Sequence, residues 1–222
     1  MNALPSRAPR CGWSRPAGLL LAVMAGMTVT LPADQPPAWL VPLLTAPVPP
    51  AALENAAVVL DEEATFHYLP GGRVRETFRQ AIRVLSGDGI RMALPVQPYN
   101  GDTDRILKVQ AWVVSPDQHH TDEYGRSDFV SVMADVDNNI WTNGRVVALG
   151  KTNQLQVGAV VAAEFDIERQ TGMHDASWSF LRPLPVVRSA FEVVPLPGNQ
   201  LVYHASSPTI PAPVAGIVGL LA

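Results

Sequence analysis

Apolar and polar residues alternate along two long runs near the middle of the chain. In the first, Val74, Phe78, Ile82 and Val84 fall on one side of an extended backbone, and Arg73, Arg75, Thr77, Arg79 and Arg83 fall on the other, the pattern of a half-buried strand. Glu76 and Gln80 interrupt it. A helix competes, because Val74, Phe78, Ala81, Ile82 and Leu85 also share a face at helical spacing. Pro70-Gly71-Gly72 before the run and Ser86-Gly87-Asp88-Gly89 after it favour strand, since both read as hairpin-type punctuation and glycine takes the positive φ such turns need. In the second run Leu107, Val109, Ala111 and Val113 share a face opposite Lys108, Gln110 and Trp112. Ser115-Pro116-Asp117 then stops the strand, because proline has no N–H to give a ladder.

The pattern extends outward from these runs. Residues 56–61 and 65–69 read as the first strand material, and 91–101 as a link between the two runs. Residues 117–128 are polar and read as a long loop, followed by an apolar stretch at 129–134 and a turn-rich stretch at 135–139. Alternation returns where Val161, Ala163, Phe165 and Ile167 oppose Ala162, Glu164, Asp166 and Glu168, with Gly158 as the preceding turn residue. Residues 187–194 read as a closing strand. Between residues 51 and 182 the prolines are Pro70, Pro95, Pro98 and Pro116, all at turn or strand-end positions. Many strands with no long helix predict an all-β antiparallel β-sandwich.

The two ends differ from this middle. Arg7, Arg10 and Arg15 precede an apolar run at 19–31, and no acidic residue comes before Asp34. That layout predicts a signal peptide over 1–33, too short in its apolar part for an ordinary membrane span. Residues 34–53 are rich in proline and nearly free of charge, so they read as a solvated linker to a sandwich domain over 54–205. After Glu192 there is no Asp, Glu, Lys or Arg, and 206–222 is an apolar, Pro-rich tail that fits a truncated or frame-shifted end as well as a native one.

Charge and cysteine narrow the chemistry. The 222 residues are 47% hydrophobic and 16% charged, room for one domain with a sizeable core. Without the three leading arginines, 13 basic residues face 20 acidic ones, an acidic balance that argues against a nucleic-acid surface. Cys11 is the sole cysteine and lies within the expected signal peptide, so a mature chain would lack disulfides and thiol nucleophiles. An export signal without disulfides predicts a periplasmic or cell-envelope location.

Residues 75–85 with Gly87-Asp88-Gly89, then 107–117, 156–161, Trp178-Ser179-Phe180 and 184–189 together resemble the domain of unknown function family numbered 3857 (DUF3857). The resemblance spans roughly residues 56–195. It implies a β-sandwich module that accompanies a bacterial transglutaminase-like domain and positions it or binds its partners, with no chemistry of its own. The Cys-His-Asp set of such a thiol enzyme is missing from these residues. The expected role is therefore a non-catalytic scaffold or interaction module without a cofactor. Its expected partner is a transglutaminase-like domain or an envelope protein.

Two readings from other classes stay open. The chain could be the N-terminal fragment of a transglutaminase-like thiol enzyme, or a metal- or glycan-binding sandwich. For the latter, Asp117, His119, His120, Asp122 and Glu123 form the densest group of ligand-type side chains, with His119, His120 and Asp122 the weak metal candidates. Adjacent histidines on an extended chain point to opposite faces, so a solvated loop is the simpler account. Asn100 to Asp104 and Asp135 to Asn139 space oxygens as a calcium loop does, yet Arg105 and Ile140 stand where that loop needs glycine. His174, Asp175 and Ser177 lie close in sequence, but a triad is a matter of geometry. Trp112, Trp141 and Trp178 could line a glycan groove or pack as core. The arginine row of the first run could pair across a sheet with Glu164, Asp166 and Glu168.

Overall fold

The computed structural model describes residues 35–134, 143–150, 155–170, 176–180, 182–204 and 219–221. The expected signal peptide, the stretch at 135–139, Trp141, His174, Asp175 and most of the expected tail lie outside them. The described residues form an all-β sandwich of two sheets. Long strands β1 (Ala57–Leu69) and β2 (Arg73–Val84) make a hairpin, with Gly71 and Gly72 in its turn at φ of 81° and 73°. The large sheet runs in the order β10-β9-β1-β2-β8-β4-β5, using β4 (Arg105–Val114), β5 (Thr121–Tyr124), β8 (Val160–Gln170), β9 (Ser189–Val194) and β10 (Gly219–Leu221). The small sheet runs β3 (Val96–Asn100), β7 (Gly144–Leu149), β6 (Phe129–Met133). Every pairing is antiparallel except β1 with β9.

Inner-face side chains hold the two sheets together. Phe165 and Ala163 of β8 and Val109 and Ala111 of β4 pack against Phe129 of β6 and Val147 and Leu149 of β7. Phe129 meets Phe165 edge-on, with ring centroids 6.0 Å apart. Further along the same face Val59, Ile82, Val113 and Val161 are covered by Ile90 and Ala93 of the turn around α2 (Gly89–Met92) and by Leu184 and Val186.

The opposite face of the large sheet is also covered, and this corrects the linker reading. Leu40 is 0% exposed, and with Leu44 and Ala52 it packs on Val58, Leu60, Ala81, Trp112, Val160 and Ala162. Short helix α1 (Val41–Leu44), with Pro42 in its first turn, carries Leu44, and Leu40 is its N-cap. A Pro-rich composition suggests solvated backbone, but alternate apolar side chains between the prolines fit the sheet's second face. Central strands buried on both faces explain why Trp112, opposite Val113, is core rather than surface.

Other expectations also change. Leu107 does not share the inner face with Val109, because the β4–β8 register shifts between Ile106 and Lys108. This bulge turns Ile106 inward and leaves Leu107 48% exposed. The link at 91–101 contains β3, whose Pro98 is tolerated because β3 is an edge. The loop at 117–128 contains β5. Ser86-Gly87-Asp88-Gly89 opens α2 rather than a hairpin, so β8, not β4, lies next to β2.

Gly89 shows how tightly that turn is built. A Cβ there would sit 1.9 Å from the Ala56 carbonyl oxygen, which accepts from the Leu85 and Ser86 N–H groups at 2.9 and 3.0 Å and so cannot step aside. Gly89→Ala is expected to lower stability by about 3 kcal/mol. Gly87→Ala, with open space around it, is expected to change it by less than about 0.5 kcal/mol. Equal urea midpoints for the two variants would contradict this contact.

Candidate functional site

Polar side chains on the inner face of β1, β2, β8 and β9 gather into two groups. Glu62, 0% exposed, accepts from Ser189 Oγ at 2.7 Å and from Arg182 Nε at 3.1 Å. Gln80 Nε2 reaches it at 3.4 Å. Trp178 Nε1 donates to Ser189 Oγ at 3.0 Å, and its ring stacks on Phe191 and lies under the Arg182 guanidinium. Both carboxylate oxygens of Glu62 accept hydrogen bonds, and the Ser189 hydroxyl is bound at both its donor and acceptor sides. The arrangement satisfies a buried carboxylate; it does not poise a nucleophile.

In the second group Arg169 of β8 joins the sheets. Its guanidinium pairs with Glu76 of β2, with Asp104 at 2.8 Å and with the Pro98 carbonyl at 3.0 Å. Gln97 of β3 donates to Glu76 at 2.9 Å. Asn100 and Asp104 form an Asx-type turn: Asp102 N–H donates to Asn100 Oδ1, and Asn100 N–H to Asp104 Oδ2, both at 2.9 Å.

The outer face of the large sheet carries the arginine row, of which Arg73 and Arg75 pair with β8 acids as the sequence suggests, whereas Arg79 pairs with β1 and Glu164 is taken by Lys108. Arg75 meets Asp166, Arg73 meets Glu168, and Arg79 meets Glu63 at 2.8 Å. The Asp166 hydrogen bond and charge raise the Arg75 pKa. At Arg188 burial opposes the charged form, but Asp61 and Glu63 outweigh it and the pKa rises. Arg73, Arg75 and Arg79 are thus mutual pairs on a solvated face, while Arg83, the last of the row, meets backbone carbonyls instead.

Of the metal candidates, the structure brings His120 and Asp122 together at 2.9 Å, both partly exposed. His119 is exposed, and its backbone N–H donates to Asp117 Oδ1 at 3.1 Å. The Ser115 hydroxyl and the His119 N–H hold the Asp117 carboxyl below its usual pKa. Among the described residues no three His, Cys, Asp or Glu side chains come together in a way that could hold a metal ion.

Among the described residues nothing is placed over one surface that the sequence did not point to. On the outer face of the small sheet, Val96, Ala148 and Val130 form one cross-strand row, and Pro98, Val146 and Val132 form the next. Val96, Val130 and Val132 are 50%, 49% and 49% exposed, and none of the six residues is charged. Strands β3, β6 and β7 alternate, and their inward residues fill the sandwich, so period two leaves the other set in solvent. The uninterrupted apolar run at 146–149, which leaves apolar side chains for both faces of a strand, was the available signal.

The family model of DUF3857, a domain of unknown function with solved structure, matches residues 70–215. The chain belongs to the DUF3857 family. Strand β1 precedes the matched stretch, yet it pairs with DUF3857 strands on both sides. A candidate protease from Parabacteroides distasonis shares the fold with a TM-score of 0.53 at 13% identity, over 62% of this chain and 28% of that one. The chain thus spans less than a third of that protein's length. An aminopeptidase A from Legionella pneumophila, crystallised with aspartic acid, aligns over 50% of this chain and 10% of its own at 8% identity, and its TM-score of 0.26 is too low to argue from. No curated protein matches the chain.

Proposed function

We propose that this DUF3857 chain is an exported, non-catalytic interaction module that seats a thiol-hydrolase or transglutaminase-like domain on the outer face of its small sheet. The observation that carries the reading is the uncharged, solvent-facing double row of Val96, Ala148, Val130, Pro98, Val146 and Val132. A contiguous apolar sheet face on a soluble domain is a docking surface more often than an accident. The choice of occupant is supported by the fold's occurrence as 28% of a longer protein named as a candidate protease. The Arg-led apolar run before residue 34 supports export. The polar clusters at Glu62 and Glu76 are saturated by their own neighbours, which supports a scaffold over an enzyme.

A photo-crosslinking residue placed at Val132, with one at Lys108 on the other sheet as control, tests this in the cells that make the protein. The expected adducts at Val132 contain a domain with a Cys-His hydrolase fold and are absent at Lys108. Equal yields at the two positions, or adducts at Val132 lacking such a domain, would refute the reading. Val96→Lys with Val130→Lys, the crosslinker kept at position 132, is expected to abolish the adduct while changing folding stability by less than about 0.5 kcal/mol, because both side chains already face water.

A further inference from the structure

A cavity of about 260 Å³ opens where α1, the turn after β4 and the start of β8 meet, lined by Leu44, Arg83, Ser115, Pro116, Gln118 and Gly158. Arg83 enters it from the outer face of β2. Its Nη1 donates to the Ala46 carbonyl at 3.0 Å, and Nη2 donates to the Leu43 and Leu44 carbonyls at 3.1 and 2.7 Å. A guanidinium has five N–H groups, so these three bonds leave two unspent. Arg75, Arg79, Arg169, Arg182 and Arg188 each face a carboxylate within 4.0 Å. Arg83 has no such ion pair among the described residues. Burial lowers its pKa, as expected for a cation withdrawn from water without a counter-charge.

The backbone around the cavity is unusual as well. Gln118 is the non-glycine residue among those described with positive φ, 61°, and Gly158 across the cavity has φ of 91°. A left-handed non-glycine conformation costs free energy and persists where the surroundings impose it, often at ligand sites. Here it turns the Gln118 amide inward, where Nε2 donates to the Leu44 carbonyl at 3.2 Å. An unneutralised guanidinium and an amide therefore converge on one small space.

We infer that this cavity is a binding site for a small carboxylate, whose charge neutralises Arg83 and whose oxygens take its unspent N–H groups. A volume below the usual range of about 300–1,000 Å³ for drug-sized ligands suits a short acid or the terminal carboxyl of a peptide. The site lies on the large sheet and stands independently of docking on the small one.

Nuclear magnetic resonance titration of the ¹⁵N-labelled full chain tests it with N-acetylglycine, acetate and the uncharged N-acetylglycine amide. The expected result is saturable shifts of the Gly158 and Gln118 backbone amides with both acids and none with the amide. Acetate bound as tightly as N-acetylglycine assigns the site to free carboxylates; tighter binding of N-acetylglycine assigns it to chain ends. Absence of saturable shifts with the acids, or equal shifts with the neutral amide, overturns the proposal and leaves Arg83 as a cap on α1. Arg83→Met is expected to weaken binding by about tenfold or more, the usual worth of a hydrogen bond to a charged group. Should that variant fail to fold, Gln118→Gly removes the amide while relieving the backbone, and unchanged affinity in it would count against the site.

Discussion

Replacing Arg169 with alanine is expected to lower the stability of the domain by about 3 kcal/mol, the low end of the range for breaking a buried ion pair. The reason is what the substitution strands. The Glu76 and Asp104 side chains are 7% and 5% exposed, and Arg169 is the cation that pairs with both. Gln97 would still donate to Glu76 and Asn100 to Asp104, which offsets part of the loss. Arg169→Lys restores the charge but not the fork that reaches Glu76, Asp104 and Pro98 at once, so it should recover only part of the loss. Arg73→Ala, breaking the exposed pair with Glu168, should change stability by less than about 1 kcal/mol. Urea midpoints that rank Arg73→Ala level with Arg169→Ala would show that the sheets are not joined through this cluster.

Trp112→Ala is expected to cost about 3 to 5 kcal/mol, the usual range for emptying a buried aromatic site. Trp112 is 5% exposed and meets the Trp39 ring edge-on at 6.4 Å, within the cluster that seats Leu40, Leu44 and Ala52. The loss should therefore fall unevenly. Amide exchange across residues 40–52 should accelerate more than exchange in β8, because those residues are held mainly by their apolar side chains. Fast exchange of 40–52 already in the unsubstituted protein would return that segment to the solvated linker first read from its prolines.

How far the fold could be read ahead of the structure depended on which strands showed period-two patterning. β2 was legible to the residue, since its arginines and apolar side chains separate cleanly. Its two pattern-breakers were informative in a way that periodicity alone does not reveal. Glu76 and Gln80 lie on the inner face because Arg169 and Glu62 wait there as partners, the first from β8, far away in sequence, and the second from the other strand of the hairpin. The central strands hid their second buried face for a related reason: Trp112 looks like the outward member of an alternating pair until residues 39–52 are known to fold back over it. β3 and β7 are short, and Pro98 disguised the first of them, so the small sheet was largely invisible. The apolar surface built on that sheet was invisible with it. The pairing of Arg73 and Arg75 with β8 acids, by contrast, needed only the assumption that β2 and β8 are neighbours. The family resemblance agrees with the matched span, while the accompanying partner domain remains part of the proposal.

The parallel pairing of β1 with β9 has a consequence for how the chain must assemble. Glu62 meets Ser189 across 127 residues of sequence, and β9 runs alongside β1 only after β2, β4 and β8 have been made. Until then one long margin of β1 has no ladder, and the Glu62 carboxylate lacks both Ser189 and Arg182. Synthesis from the N-terminus thus leaves the first strand of the sandwich waiting for nearly the last. Such distant closure slows folding, and in a chain made from its N-terminus that margin of β1 stays an open edge until β9 has been made.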